Sequence, residues 1–462
     1  MQSDGPPQLI GWSFTRPCAG ALLHVPVQIR PSCSSLPIYI HTYQLIIGRS
    51  VVIWCNVKLL RINNTITSTS TSLILCKAGN ADCCERRSSL LQPRAAYQPT
   101  ASLMPSVILT IAASQRLDSR GKPTVQVRLT TGYGHFTSIV PSGASKGDYE
   151  AVELRDGDRS AYQGNSVLKA VHNVNAILGP AIVNANLDPT TQLSEIDRLM
   201  IDLDGTEDKS KMGANAILAI SMAAARAGAS GRGVPLYRFL AEQAGASHED
   251  AILPVPFMNV LNGGDHSGNT MAFQEFMIAP TGASSFEEAV RFNAETYACL
   301  KTLIIRRHGK SAVGIGDEGG FAPPIYHPTE ALDLLVQAIA DAGHEGKIKI
   351  GIDPASQSFE EGGVYDIGFK TDKAEKMEAG ELASLYHSLL ARYPIVLLED
   401  PFGQDDWPAW SDFNQDCAVE LVGDDLLATN IKRIQIAQSK NACNSLLLKI
   451  NQIGSITEAI EA

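Results

Sequence analysis

The chain has 462 residues, of which 44% are hydrophobic, and its 38 Lys and Arg against 49 Asp and Glu give a net charge of −11. This length and apolar content suit two or three globular domains with a large core. The acidic balance argues against a nucleic-acid partner, because phosphate backbones are bound by clustered Lys and Arg. No run reaches the roughly 18 consecutive apolar residues that a membrane helix needs. Composition therefore excludes a membrane protein, a disordered chain and a collagen-like chain.

The first part of the chain, up to Met104, differs from the rest. It carries nine basic and three acidic side chains, a net charge of +6, so the remainder carries −17, and it holds six of the nine cysteines. A mitochondrial transit segment and a disulfide-bearing secreted module both remain open, although the segment is long for the first and begins without a secretory signal. We favour a third interpretation, in which residues 1–103 are a leader that is disordered or an artefact of the gene model.

The remaining cysteines show no metal-binding or redox spacing, at Cys299, Cys417 and Cys443. Cysteines without such spacing are typically reduced thiols in the core, so they predict a cytoplasmic protein.

Residues 104–249 show strand signals followed by helix signals. Alternating apolar residues predict strands at 124–130 and 136–140. Apolar residues at helical spacing predict a helix over 167–178 that ends at Gly179-Pro180. The Ala-rich stretch 214–227 is apolar on nearly all sides, which indicates a buried helix. The sequence therefore predicts an α+β domain that ends near residue 249.

Residues 250–462 alternate short apolar strands with helical segments. Four such strands are predicted at 347–353, 394–400, 419–425 and 445–450. They place Asp353, Glu399, Asp424 and Lys449 at their ends, and the last three are each 25 residues apart. A strand plus a helix of that length is the unit of a (β/α)₈ barrel, whose active site lies at the C-terminal ends of the strands. A Rossmann sheet is the alternative, but no Gly-rich phosphate loop follows a strand.

The residues at these strand ends could form a catalytic site if their side chains converge. Asp353, Glu399 and Asp424 would form an all-oxygen cluster that suits Mg²⁺, whereas each alone is typical of a solvated acid at a strand end. Lys449 is a candidate base, since burial and nearby Mg²⁺ would lower its pKa. Its alternative role is a structural salt bridge to one of the carboxylates.

Two loops hold further candidates. Glu318 lies in the Gly-rich segment 314–320 and could act as a general acid, because Gly lets the backbone approach a ligand closely. His266 lies in the segment 262–268, which we interpret as a mobile loop. Taken alone, these segments and the turn 141–145 are ordinary loops.

From residue 104 to residue 462 the sequence resembles the enolase family. The resemblance is carried by segments 118–121, 140–145, 203–206, 213–216, 259–264, 274–280, 316–320, 398–402, 423–426 and 446–454. It implies an α/β fold, with an enolase-type (β/α)₈ barrel preceded by an α+β N-terminal capping domain. It also implies a glycolytic lyase that dehydrates 2-phosphoglycerate to phosphoenolpyruvate with two Mg²⁺ ions, and a homodimer.

The resemblance assigns a role to each candidate. The positions that match the family's ligands for the first Mg²⁺ are Asp353, Glu399 and Asp424. Ser145 matches the loop serine that binds the second Mg²⁺, and His266 matches the substrate-binding histidine of a closing loop. Lys449 matches the base that removes the C2 proton from bound substrate. Glu318 matches the acid that helps expel the C3 hydroxyl, with Glu275 as its neighbour at the substrate.

The sequence also departs from the family. Enolases continue with two more strands that carry a phosphate-binding His-Arg-Ser segment and a second lysine, so we expect an incomplete barrel of about six of the eight strands. The alternatives to an active enzyme are an inactive enolase fragment and an enolase-derived binding protein. A superfamily relative acting on another carboxylate would usually lack the segments 142–145 and 316–320. A smaller departure, Asp265, would disfavour an anionic substrate if it points inward.

Overall fold

A computed structural model of the chain describes residues 105–247 and 251–462. It also describes the backbone of two strands, β1 (Tyr39–Ile47) and β2 (Ser50–Leu60), which pair antiparallel. The rest of the predicted leader lies outside the described residues, so its nature stays a prediction.

The N-terminal domain is a three-stranded antiparallel sheet covered by helices. Its strands are β3 (Thr110–Leu117), β4 (Pro123–Thr131) and β5 (Gly134–Val140). Its helices are α1 (Leu168–Asn173), α2 (Gly179–Asn184), α3 (Leu193–Asp204), α4 (Ala214–Gly231) and α5 (Leu236–Gln243). Helix α4 packs on β4 and β5 and is buried on most of its surface, as its Ala-rich sequence predicts.

The predicted end of the first helix at Gly179-Pro180 is wrong. A π-helical segment, Val174–Leu178, joins α1 directly to α2. Pro180 lies in the first turn of α2, directly after the π-helical segment. A Cβ added at Gly179 would lie 2.8 Å from the carbonyl oxygen of Val174, so the glycine serves close packing rather than helix termination.

The C-terminal domain is built on a curled sheet of six strands. Its strands are β6 (Val255–Asn262), β7 (Glu275–Ala279), β8 (Lys349–Asp353), β12 (Ile395–Glu399), β13 (Glu420–Gly423) and β14 (Ser445–Leu448). Between β8 and β12 the chain forms a small separate sheet of β9 (Glu360–Glu361), β10 (Val364–Asp366) and β11 (Lys376–Glu378). The six strands that residues 250–462 supply run in the order β6-β7-β8-β12-β13-β14, which confirms the prediction that this segment carries about six of the eight strands of an α/β barrel. In the sheet order β2 pairs with β14 and β1 with β6, so these two strands close the circle.

Helices cover the outside of the barrel. They are α6 (Phe286–His308), α7 (Pro328–Asp341), α8 (Ala379–Arg392), α9 (Trp407–Asn414), α10 (Ile431–Lys440), α11 (Ile450–Ile453) and α12 (Ile456–Glu461). Their inner faces join the strands in one hydrophobic core, in which Trp410, Tyr386 and Phe402 are fully buried. In the described part of the chain no helix is both long and apolar enough to cross a membrane. The three described cysteines are free thiols.

Strand direction in the barrel is mixed. Strands β8, β12, β13 and β14 are parallel neighbours, whereas β7 is antiparallel to both β6 and β8. Because a loop without a crossover helix joins β6 to β7, the two strands must run in opposite directions. As a result the first residue of β7, Glu275, lies opposite Asp353, the last residue of β8.

Candidate active site

The four predicted strand-end residues meet at one edge of the barrel sheet. Asp353 and Glu399 end the adjacent strands β8 and β12, while Asp424 and Lys449 directly follow β13 and β14. The three acidic residues are 2%, 2% and 7% exposed, respectively. The 25-residue spacing therefore places these side chains side by side, as predicted for a barrel.

The buried carboxylates at this edge repel one another. Burial and the nearby carboxylates of Glu399 and Glu275 raise the pKa of Asp353 well above its ordinary value. The same causes, with Asp425 as the first neighbour, raise the pKa of Asp400. Buried carboxylates that repel one another are the donor set that a hard divalent cation such as Mg²⁺ takes, so the residues fit this ion.

Two tight acidic clusters occur among the described residues. The donor atoms of each lie within 4.8 Å of one another, in the sets Asp400, Asp424, Asp425 and His266, Glu275, Glu318. The predicted set of Asp353, Glu399 and Asp424 is not one of these clusters, although Asp424 belongs to the first. Its assignment as a ligand set stays a prediction.

Lys449 is paired with a carboxylate. Its Nζ lies 2.5 Å from Asp424 Oδ2. Burial alone would lower the pKa of this lysine, as the sequence argument expects, but the charges of Asp424 and Glu399 outweigh burial and hold it well above its ordinary value. The expectation of a lowered pKa included a nearby Mg²⁺ and stays a prediction, because in the chain alone the carboxylates that would bind a cation act on the ammonium group instead.

A carboxyl pair with a histidine faces this lysine. Glu318 Oε2 accepts hydrogen bonds from Asn259 Nδ2 at 3.0 Å and from Asn262 Nδ2 at 3.1 Å. Burial raises the pKa of both Glu318 and Glu275, that of Glu275 further, and the Glu275 carboxyl donates to Glu318. His266 Nδ1 lies 3.1 Å from Glu318 Oε1, and burial lowers the pKa of His266. The site thus combines a buried, hydrogen-bonded carboxyl pair with a buried imidazole.

The histidine loop, residues 263–268, is held from outside the barrel. Lys370, between β10 and β11, donates from Nζ to the carbonyl oxygens of Gly264 and, at 2.9 Å, Ser267. The amide of Asp317 donates to the carbonyl oxygen of His266 at 3.0 Å, which joins this loop to the segment that carries Glu318. Asp265 is exposed, and its charge acts on the neighbouring His266, whose pKa it raises against the larger effect of burial.

The serine loop, residues 141–147, reaches over the same edge from the N-terminal domain. Its first half is held by Arg120, which donates to the carbonyl oxygens of Ser142 at 2.5 Å and of Gly143 at 3.0 Å. The Ser142 hydroxyl donates to Glu153 at 2.9 Å. Ser145 itself is exposed and lines a cavity of about 150 Å³. The structure therefore places Ser145 at the mouth of the site without bringing it into the acidic clusters.

The far end of the serine loop contacts the barrel. A Cβ added at Gly147 would lie 2.6 Å from Asp425 Oδ1, so a larger residue here would require the Asp425 side chain to shift. Beyond the loop, Tyr149 donates its hydroxyl proton to Asp405 at 2.8 Å and stacks on the guanidinium of Arg433 at 3.7 Å. These contacts fix the loop's C-terminal end to the barrel.

Sequence reasoning missed several residues that hold the site together. Gln452 Nε2 donates to Asp424 Oδ1 at 2.7 Å and to Glu150 Oε1 at 3.4 Å. Thr429 Oγ1 donates to Gln452 Oε1 and accepts from the amide of Lys449, both at 2.9 Å. The signal for Gln452 was its place in the segment 446–454, three residues after the lysine.

Comparison with known families agrees with this geometry. Residues 108–240 match the model of the enolase N-terminal domain, and residues 250–462 match that of the enolase C-terminal TIM barrel domain. The chain belongs to the enolase family. The family predicted from sequence segments is thus confirmed, as is the order of a capping domain followed by a barrel. In this enolase-family chain the acidic edge, the carboxyl pair and Lys449 lie where barrel enzymes hold their active sites.

Proposed function

We propose that this protein is a lyase that catalyses the Mg²⁺-dependent dehydration of 2-phosphoglycerate to phosphoenolpyruvate, a step of glycolysis. The observation that carries the proposal is the convergence of a lysine, a carboxyl pair and a buried acidic cluster at one barrel edge of an enolase-family chain. A reaction that removes a proton next to a carboxylate needs a base, an acid and positive charge where negative charge develops.

The acidic edge would supply the metal sites. In this proposal Asp353, Glu399 and Asp424 hold one Mg²⁺, and Ser145 contributes to a second. When bound, the ions supply positive charge that stabilises the anion formed as the C2 proton leaves. The Ser145 hydroxyl lies on a loop that Arg120 of the N-terminal domain holds at one end and the barrel residue Asp405 holds at the other, so the loop positions Ser145 between the two domains.

Lys449 and the carboxyl pair would move the protons. Lys449 Nζ accepts the C2 proton, for which it must be neutral, and Asp424 and Glu399 oppose that state in the chain alone. Glu318 donates a proton to the leaving C3 hydroxyl, and the hydrogen bond from Glu275 marks where that proton is stored. Neutral His266 orients the substrate without adding charge.

The test is Mg²⁺-dependent turnover of 2-phosphoglycerate by the purified chain, followed by the absorbance of the enol product. Lys449→Ala should abolish both turnover and exchange of the C2 proton with solvent. Glu318→Gln should abolish turnover but retain exchange, because proton removal precedes loss of the hydroxyl. Lys440→Ala is the matched control, since this lysine is exposed at the end of α10. Turnover that survives Lys449→Ala would refute the assigned base.

An enolase-derived binding protein is the second candidate. The retained acidic edge favours it as much as it favours the enzyme, since both would bind Mg²⁺. Calorimetric binding of Mg²⁺ without turnover would select this candidate. We also propose a cytoplasmic homodimer, which light scattering of the purified chain would test for mass and fractionation of expressing cells for location.

A further inference from the structure

One buried carboxylate links the ends of two barrel strands. Asp400 directly follows β12 and is 4% exposed. Its Oδ1 accepts the amide of Asp424 at 2.9 Å, and its Oδ2 accepts the amide of Asp425 at 2.7 Å. Both oxygens therefore face backbone N–H groups at the end of β13.

The backbone of Asp400 is tied down as well. Its amide donates to the carbonyl oxygen of Val422 at 3.0 Å, and its carbonyl oxygen accepts from the amide of Ser356 at 3.1 Å. The residue has φ +36°, in the left-handed region that residues other than Gly rarely adopt. Backbone strain of this kind persists only where surrounding contacts impose it, and it concentrates at functional sites.

A carboxylate is a costly choice for this position. Burial and the charges of Asp425 and Asp424 raise its pKa, so the chain holds a third acid where two already repel each other. An apolar side chain would avoid that repulsion but would leave two buried amides without acceptors. The bonds to both amides are therefore what the carboxylate contributes.

We propose that Asp400 is a positioning residue that fixes the spacing between Glu399 and Asp424 by tying the end of β13 to the end of β12. Glu399 precedes Asp400 in the chain, and Asp424 is the residue whose amide Asp400 binds, so one side chain sets the relative position of two acids. Although its carboxylate belongs to the first acidic cluster, Asp400 acts on the metal site through the backbone, because each of its oxygens is engaged by a backbone amide. This inference rests on the proposed function, in which those two acids bind Mg²⁺.

The experiment is calorimetric titration of the full chain with Mg²⁺. Asp400→Asn removes one of the two acceptors, and loss of such an outer partner costs about 10- to 100-fold in metal affinity. Asp400→Gly removes both acceptors but adopts a positive φ without strain, so it separates the hydrogen bonds from folding. The matched control is Asp204→Asn, whose buried carboxylate accepts the amides of Thr206 at 3.0 Å and Met212 at 2.6 Å, far from the site in sequence.

We expect weaker Mg²⁺ binding in both Asp400 variants and wild-type affinity in Asp204→Asn. Wild-type affinity in Asp400→Gly, with circular dichroism showing a folded chain, would overturn the inference. An equal loss in Asp204→Asn would also overturn it, because the effect would then follow stability in general. If the wild-type chain does not bind Mg²⁺, the proposed metal site itself fails and the inference falls with it.

Discussion

A buried carboxyl at the contact between the two domains should make stability depend on pH. Asp197 in α3 is fully buried, and its Oδ2 accepts the amide of Thr457 at 3.0 Å and the hydroxyl of Thr457 at 2.6 Å. Burial raises the pKa of Asp197 to about 6, although the hydrogen bonds from Thr457 and Ser221 partly offset it. The change to make is Asp197→Asn, which removes the titration and keeps an acceptor oxygen.

The direction of the pH dependence follows from the pKa of Asp197 in the unfolded chain, 3.8, and in the folded chain, about 6. Below pH 3.8 the carboxyl is protonated in both states, and between 3.8 and about 6 only the unfolded chain is ionised, so the free energy of unfolding falls as pH rises. Above about 6 both states are ionised and the cost is constant. A difference of about 2 pKa units corresponds to about 3 kcal/mol in total, of which about 1.4 kcal/mol develops between pH 5 and pH 8.

The assay is urea unfolding of the wild-type chain and Asp197→Asn at several pH values from 5 to 8. The variant should gain about 1.4 kcal/mol relative to wild type over this range. Asp188→Asn is the control, because hydrogen bonds from Ser106 and Thr190 outweigh burial and lower the pKa of Asp188, so this carboxyl is ionised in both states from pH 5 to 8 and its removal should give a difference that does not change with pH. A difference between wild type and Asp197→Asn that does not change with pH would refute the reasoning.

Three further predictions concern the site and the core. Lys449→Met leaves Asp424 without its cation, so the unfolding free energy should fall by about 3 kcal/mol in EDTA and recover with Mg²⁺ in thermal melts. Gly228→Ala should lower the free energy of unfolding despite the better helix propensity of Ala, because the added Cβ would lie 2.3 Å from the carbonyl oxygen of Pro189. Gly380→Ala is the comparison in open space, and it should raise the free energy of unfolding by about 0.5–1 kcal/mol in the same urea assay. Lys370→Met should speed amide hydrogen exchange in the histidine loop, and unchanged exchange would contradict its role.

The regular part of the barrel could be read from the sequence. A strand buried on both faces is a short apolar run, and the helix after it has a narrow range of lengths, so residues at equivalent strand ends recur at a constant interval. That interval identified Glu399, Asp424 and Lys449 without any family knowledge. The structure places all three at one edge.

The position of Glu275 could not be found in this way. It begins a strand instead of ending one, because β7 runs antiparallel to its neighbours. A local pattern does not encode strand direction, which depends on how the connection between strands folds back. Only the family resemblance pointed to this residue.

Long-range hydrogen bonds explain why the other site residues could not be predicted from the sequence. Asp400 takes a positive φ where backbone groups of two other segments bind it, at Ser356 and at 422–425, and no sequence signal marks such a residue. Gln452 meets Asp424 and Glu150 from a short helix whose direction follows from the fold. A sequence can show which residue types are available, whereas their partners depend on chain segments up to 300 residues apart.

The acidic edge explains why these supporting residues are needed. Neighbouring strands lie about 4.8 Å apart, so acids at adjacent strand ends must repel one another in a medium that screens charge poorly. Lys449 offsets part of that repulsion, and Asn259, Asn262 and Gln452 give the carboxylates neutral donors in place of water. Such a site can retain its shape only if the strand ends themselves are fixed. The hydrogen bonds from Asp400 to the end of β13 meet that requirement. The acidic residues can therefore lie this close together because the backbone that carries them is held rigid.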